Sequence, residues 1–323
     1  MSQIRIALAQ TCPVVAPTGP AKDDDDIFNV LERNLIDARG WVEKASKEKA
    51  DVVVFPEYFL QGLVDEGRQY LTYPSPHLIA YLSHLAKEHN VSIVGTIIHS
   101  VCDDLPPTSP FDHLLSDAPK DVTKWREYVK ANPGTNHSPQ LLNTAFYIEA
   151  GSGKVLDEFV KRNLWHPERD YLTPGQAGHQ VFDTKWGRCG FLICWDVSHP
   201  SAGQALSDLG ADIVFAPTYW IGYDSAPTIT KHHANPPKYE TEVLSTLSYA
   251  RAFETETAWI MCNAGGPAKE GYIGGSGVWM PLKGKIGGYD GEEVGLKVVD
   301  VDLDVLKDAR RLYKIRVDHE SRR

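Results

Sequence analysis

The stretch FYIEAGSGKVLDEFVK, residues 146–161, reads as a strand, a glycine-containing turn and a returning strand. A hairpin in mid-chain means a mixed sheet rather than a purely parallel, doubly wound one. On either side of it short β-rich runs recur, each closed by turn residues: IRIALAQ at 4–10, VVVF at 52–55, VSIVGTII at 91–98, TAFYIEA at 144–150, CGFLICW at 189–195, DIVFAP at 212–217 and AWIMCNA at 258–264. Between the first two, Ile27, Leu31, Leu35, Ala38, Trp41 or Val42, and Ala45 repeat at helical spacing, and the aspartates at 23–26 stand where a helix N-terminus favours negative charge. A second helix is expected through Leu78, Tyr81, Leu82 and Leu85, and a third through Ala202, Leu206 and Leu209. The expected class is α/β (α+β), a layered domain with a mixed sheet. With no repeat, low-complexity tract or linker, residues 1–323 read as one domain. Two interruptions stand out. Residues 103–140 form an insertion with six prolines around Val122, Trp125 and Val129, and a second loop runs from Tyr219 to Tyr239. Each is expected beside a pocket or as surface decoration.

Lys and Arg number 33 against 43 Asp and Glu, a formal charge of −10, with no basic stripe to offset it. That argues against nucleic acid or an anionic membrane as partner and leaves a small molecule as the default. Apolar runs fall short of the roughly 20 residues that a spanning helix needs. The opening MSQIRIALAQT alternates Ile4, Ile6 and Leu8 with polar or small residues, and so carries no secretion-signal pattern. Five scattered cysteines (Cys12, Cys102, Cys189, Cys194, Cys262) without a CxxC pair suggest neither a disulfide framework nor zinc. Reduced thiols and a cytoplasmic location are expected.

Three ionisable groups end apolar strands. Cys194 closes GFLIC, Glu57 follows VVVFP, and Lys161 ends VLDEFV. Alone, Cys194 is either buried filler or a nucleophile, and Glu57 with Lys161 is either a rim salt bridge or part of a site. If the strand ends converge, they form an acyl-transfer set: a carboxylate to take the thiol proton, a thiolate to attack, and an ammonium to hold the oxyanion.

FPEYFLQG at 55–62, KRNLWHPERDYLTPG at 161–175 and GRCGFLICWDVSHP at 187–200 resemble, in order and spacing, the three signature segments of the carbon–nitrogen hydrolase family, the nitrilase superfamily. The likeness runs from IRIALAQ through RAFETETAWIMCNAGG and GGSGVWMPLKGKI to VDLDVLKDAR. It implies a four-layer α-β-β-α sandwich that pairs into a homodimer or larger oligomer. It also implies Glu57 as general base, Lys161 as oxyanion-stabilising lysine and Cys194 as nucleophile. Glu168 resembles a second glutamate that positions substrate or assists proton transfer, and the Trp195 backbone N–H would complete the oxyanion hole. No metal or organic cofactor is then needed.

Two departures matter. Asp196 follows Cys194 and Trp195 where nitrilases carry Glu, which resembles the amidase and carbamoylase branches. Thr255, after Arg251 and Glu254, stands where the family has Asn near its pairing helix. The expected activity is therefore thiol amidohydrolysis of a small amide or N-carbamoyl compound. A nitrilase is the alternative, and a non-catalytic scaffold of the same fold a remote one. Tyr58, Trp165, His166, Tyr219 and Trp220 are candidate substrate contacts. His232 and His233 read as solvated loop residues, a Cys194–His199 pair as poor geometry, and the glycines at 265, 266, 271, 274, 275 and 277 as turns rather than a phosphate cradle.

Overall fold

The computed structural model describes residues 3–21, 26–135 and 138–321. Its elements in chain order are β1 (Gln3–Gln10), α1 (Asn29–Lys47), β2 (Val52–Val54), α2 (Ser75–His89), β3 (Ser92–Val101), α3 (Thr123–Ala131), β4 (Gln140–Ile148), β5 (Val155–Val160), β6 (Phe182–Thr184), β7 (Gly187–Phe191), α4 (Pro200–Asp208), β8 (Ile213–Thr218), α5 (Pro236–Thr255), β9 (Ala258–Asn263), β10 (Gly277–Met280), β11 (Gly284–Gly288), β12 (Gly295–Asp302), α6 (Asp304–Tyr313) and α7 (Ile315–Glu320). Among the described residues there are two six-stranded sheets. By its contacts the chain divides into two compact units: residues up to Cys12, Ala45–Glu57 and Ala177 onward form the first, and Pro13–Lys44 with Tyr58–Gln176 the second.

The first unit holds one whole sheet, in the order β11-β10-β9-β8-β7-β6, and the strands β12-β1-β2 of the other. β7, β8 and β9 run parallel while β6, β10 and β11 add antiparallel neighbours, so the sheet is mixed as expected. β1 is buried along most of its length on both sides, including Ala7 and Ala9. Its small residues leave room for β9, whose Cys262 Sγ donates to Ala9 O at 3.5 Å. Helices α4 and α5 cover the far side of the second sheet. Gly190 on β7 lets α4 come close, since a Cβ there would lie 2.7 Å from Leu206 of α4.

In the second unit the hairpin is as read: β4 pairs antiparallel with β5, and β3 with β4. Helix α2 packs on β3 and β4 through Leu78, Tyr81, Leu82 and Leu85, all buried. The first unit is layered β-β-α and the second α-β, each built as the mixed α/β class expects. The insertion is ordered around α3. Trp125 is buried, its indole N–H donates to Thr108 O at 2.8 Å, and its ring meets Phe28 edge-on. Val129 lines a groove with Pro20, Ala21 and Tyr70.

Several readings need correction. The loop taken to run to Tyr239 ends earlier, because Pro236 and Pro237 open α5, where a missing N–H and a fixed φ are tolerated. Leu209 lies just past the last residue of α4 and is exposed rather than on its apolar face. Of the glycines taken as turns, Gly277 is instead the first residue of β10. Of the aspartate run, 23–25 lie outside the described residues; Asp26 precedes α1, its carbonyl accepting Asn29 N–H at 3.0 Å. Thr255 turns its hydroxyl to Arg251 O and Thr257. All five cysteines are thiols, and among the described residues no helix is long and apolar enough to cross a membrane.

Candidate active site

In the first unit the site begins where β7 ends. Parallel pairing stops at Phe191 opposite Phe215, Leu192 N–H still reaches Phe215 O at 3.1 Å, and Cys194 opens a single 3-10 turn, Cys194–Ser198. The thiol is therefore three residues past the strand, not its last side chain as expected. Cys194 has a φ of 44°, a left-handed conformation that costs a residue with a Cβ about 1–2 kcal/mol. Fully buried Asp196 holds the bend: its N–H reaches Ile193 O at 2.9 Å, and its Oδ2 accepts Ile193 N–H at 3.1 Å. Trp195 N–H lies in the first turn of this short helix.

Glu57 also lies beyond its strand. β2 ends at Val54, and Pro56 has no N–H with which to extend the ladder. Its backbone N–H donates instead to Thr218 O at 3.2 Å, and its Oε2 accepts Tyr219 N–H at 3.1 Å. Only 1% of the residue is exposed. Because β7 and β8 run parallel in register, Cys194 and Glu57 arrive at the same end of β8. Tyr219 shares a hydroxyl contact with Tyr272 at 3.1 Å, and burial pushes its phenol pKa up. Trp220 is buried, its ring 5.4 Å from that of Trp195. His199 Nδ1 lies 2.9 Å from Trp195 O, in keeping with a helper of the turn rather than a partner of the thiol. His233 Nδ1 is likewise engaged with Asn235 O.

The second unit gathers Tyr58, Lys161, Glu168 and Trp165. Lys161 extends β5 by one residue through its N–H to Asn143 O, and its side chain is wholly buried. Its Nζ donates to Glu168 Oε1 at 2.7 Å, Tyr58 Oη donates to the same oxygen at 2.5 Å, and Trp165 N–H donates to Oε2 at 2.7 Å. Glu168 is thus a buried carboxylate with three donors, placed by the short 3-10 turn Pro167–Asp170. Tyr58, a candidate substrate contact, gives its hydroxyl to Glu168; its φ of 61° is also left-handed, and its N–H is held by Thr96 Oγ1 at 3.1 Å. Burial and the Glu168 carboxylate push the neighbouring Tyr171 phenol pKa up. His166 is exposed and stacks on Trp165 with ring centres 5.0 Å apart.

Two residues passed over in the sequence are central to the first unit. Asn263 is fully buried at the end of β9, and Glu240 is buried on α5. An amide closing the apolar run AWIMC was a usable signal; nothing local marks Glu240.

Residues 5–311 match the model of the carbon-nitrogen hydrolase family. An (R)-stereoselective amidase from Pseudomonas sp. is 26% identical over 267 residues, 81% of this chain and 77% of that one. An N-carbamoylputrescine amidase from Solanum tuberosum is 42% identical over 201 residues, 58% of this chain and 54% of that one. The solved carbon-nitrogen hydrolase from Helicobacter pylori G27 aligns with a TM-score of 0.73 at 17% identity, covering 98% of this chain and 95% of that one. A variant of the amidase from Nesterenkonia sp. AN1, with the acetamide moiety of fluoroacetamide added covalently at its active-site cysteine, aligns with a TM-score of 0.66 at 22% identity, covering 97% and 95%. The two structures establish the shared fold. With the family match running almost from end to end, the chain belongs to the carbon-nitrogen hydrolase family and is a hydrolase of carbon–nitrogen bonds other than peptide bonds.

Proposed function

We propose that this enzyme cleaves a small amide or N-carbamoyl compound through a cysteinyl thioester, with Cys194 as nucleophile and Glu57 as general base. The observation that carries the reading is the strained turn at Cys194, which reaches the same end of β8 as the buried Glu57 carboxylate. Left-handed backbone at a non-glycine residue is kept where surrounding structure over-determines it, and such positions cluster at active sites. The amidase and N-carbamoylputrescine amidase activities named for two relatives support the substrate class.

A thiol at its ordinary pKa is only a few per cent thiolate at neutral pH, so an adjacent base is what makes it competent. Glu57 takes the Cys194 proton as sulfur attacks the carbonyl carbon. Trp195 N–H holds the oxygen that gains charge, and the family resemblance gives Lys161 the part of oxyanion-stabilising lysine. Glu57 then returns the proton to the leaving nitrogen, and ammonia or an amine departs from the acyl-thioester, a thiocarbamate for a carbamoyl substrate. Water gives a proton to Glu57 and attacks the acyl carbon, the thiolate leaves, and Glu57 hands that proton back to it. Glu168 holds the Lys161 ammonium in place, a role supported by their 2.7 Å contact.

Amides are preferred to nitriles. A nitrile adduct must take up a water and expel ammonia before reaching the thioester, which asks more of the acid–base groups, and Asp196 is already committed to closing the nucleophile turn. The test offers matched compounds with one side chain, ending in nitrile, carboxamide or carbamoyl. Faster acid formation from the carboxamide or carbamoyl member is expected. Faster turnover of the nitrile in most sets overturns the preference and makes the enzyme a nitrilase.

A further inference from the structure

We infer that Glu240 and Asn263 are positioning residues for the hydrolysis: they lock Trp220 against Trp195 and so fix the turn that carries the Cys194 thiol and the Trp195 N–H. The inference rests on the roles proposed above for that thiol and that N–H.

Asn263 makes four hydrogen bonds, the full capacity of a side-chain amide. Oδ1 accepts Trp220 N–H at 2.8 Å and the Thr218 hydroxyl at 3.1 Å, and Nδ2 donates to Trp220 O at 3.0 Å and Gly274 O at 2.9 Å. One amide therefore holds Trp220 by both its backbone N–H and its carbonyl. Asn263 is itself anchored, since its N–H donates to Ser276 Oγ at 2.9 Å and that hydroxyl donates to Gln10 Oε1 at 2.7 Å. The indole is held separately. Trp220 Nε1–H donates to Glu240 Oε2 at 2.8 Å, while Glu240 Oε1 accepts the Ser225 hydroxyl.

Glu240 is 4% exposed, and both of these donors are neutral. Burying a carboxylate is costly, so stability alone favours a neutral acceptor here. What the carboxylate supplies is two acceptor oxygens in a fixed plane, which set the angle of the Trp220 ring. That ring meets the half-buried Trp195 ring at 5.4 Å with a 44° tilt. Bonds between Ile193 and Asp196 hold the two ends of the turn, whereas Trp195 between them is steadied through its ring, so a ring that shifts carries its backbone N–H with it. Displacing an oxyanion donor by about 1 Å costs on the order of 10²-fold in rate.

Two substitutions, Glu240→Ala and Glu240→Gln, test this with two readouts. One is kcat and KM on the carboxamide or carbamoyl compound turned over fastest in the matched set. The other is the rate at which iodoacetamide alkylates Cys194, a displacement at a saturated carbon that forms no oxyanion. For Glu240→Ala the expected kcat loss is about 10- to 100-fold, with KM within about threefold and alkylation within about twofold of the unaltered enzyme. Glu240→Gln restores most of kcat, because its carbonyl accepts the indole N–H and the Ser225 hydroxyl rotates to accept from its amide. An unchanged kcat in Glu240→Ala overturns the inference. So does alkylation that slows in step with kcat, which means general damage to the site, or a Glu240→Gln enzyme as slow as Glu240→Ala, which means charge rather than placement. Failure of the underlying mechanism shows separately, as turnover by the unaltered enzyme that survives complete alkylation of Cys194.

Discussion

The Cys194 turn and the Lys161 cluster are placed by different physics. At Cys194 the backbone does the placing: the parallel register of β7 and β8, a left-handed residue, and a carboxylate, Asp196, that bonds the turn's own N–H. At Lys161 side chains do it, through an ammonium, a carboxylate and a phenol that converge out of contact with the surface. A group held by backbone can be exchanged with little loss of stability. A group held by buried charge cannot, because removing one partner strands the other.

The hardest test of this contrast is Cys194→Ala. Turnover should fall by more than about 10³-fold, while the thermal midpoint stays close to that of the unaltered enzyme. Initial rates and a melting curve measure both, and activity within tenfold of the starting enzyme would remove Cys194 from its role. Next in size is Lys161→Met, which leaves the Glu168 carboxylate buried without its cation. Destabilisation of about 3–5 kcal/mol should accompany lost turnover. Adding Glu168→Gln should recover most of the stability and none of the activity. If the single change proves as mild as Cys194→Ala in denaturant titrations, the contrast collapses.

The smallest effect at neutral pH, and the one that sharpens the comparison, is the response of each unit to pH. In the first unit, burial pushes the Cys189 and Cys262 thiols up to about 12. The folded chain then binds more protons than the unfolded one above the ordinary thiol pKa of about 8.5. Stability is fully present below that value and declines as pH rises toward 12. In the second unit, burial pulls His99 down from 6.5 to about 4. Here the unfolded chain binds the extra proton, so stability is fully present above 6.5 and declines as pH falls toward 4. Hydrogen exchange should show protection lost first in β7 and β9 on the alkaline side, and first in β3 and β4 on the acid side. The reverse order would refute the assignment.

The reading of strands succeeded where the evidence was local. Runs such as VVVF and DIVFAP are apolar, short and bounded by breakers, and each became a strand. It failed where the pattern was ambiguous. GVWM and GKIGG are flanked or filled by glycine and pair only because β9 offers an open side. GLKVVDVD, which became β12, was not read as a strand; it is half-exposed and is set by its antiparallel ladder with β1. The same holds for α5, whose first turn is two prolines that read equally well as loop.

For the candidate site, local sequence was enough to show which chemical groups stand near strand ends: Glu57, Lys161, Cys194 and, in the following loop, Glu168. Such information is local, since an apolar run followed by an ionisable residue is visible within ten positions. Tertiary structure alone decided what each group touches. That Glu168 is buried under three donors, that Cys194 lies on a bend beyond β7, and that Trp220 is locked by Asn263 and Glu240 all depend on bonds between distant residues. Asn263 and Trp220 are 43 positions apart, and Ser276 and Gln10 are 266 apart. A hydrogen bond needs its partners within about 3 Å and suitably angled, and no local pattern encodes which distant strand end will arrive there.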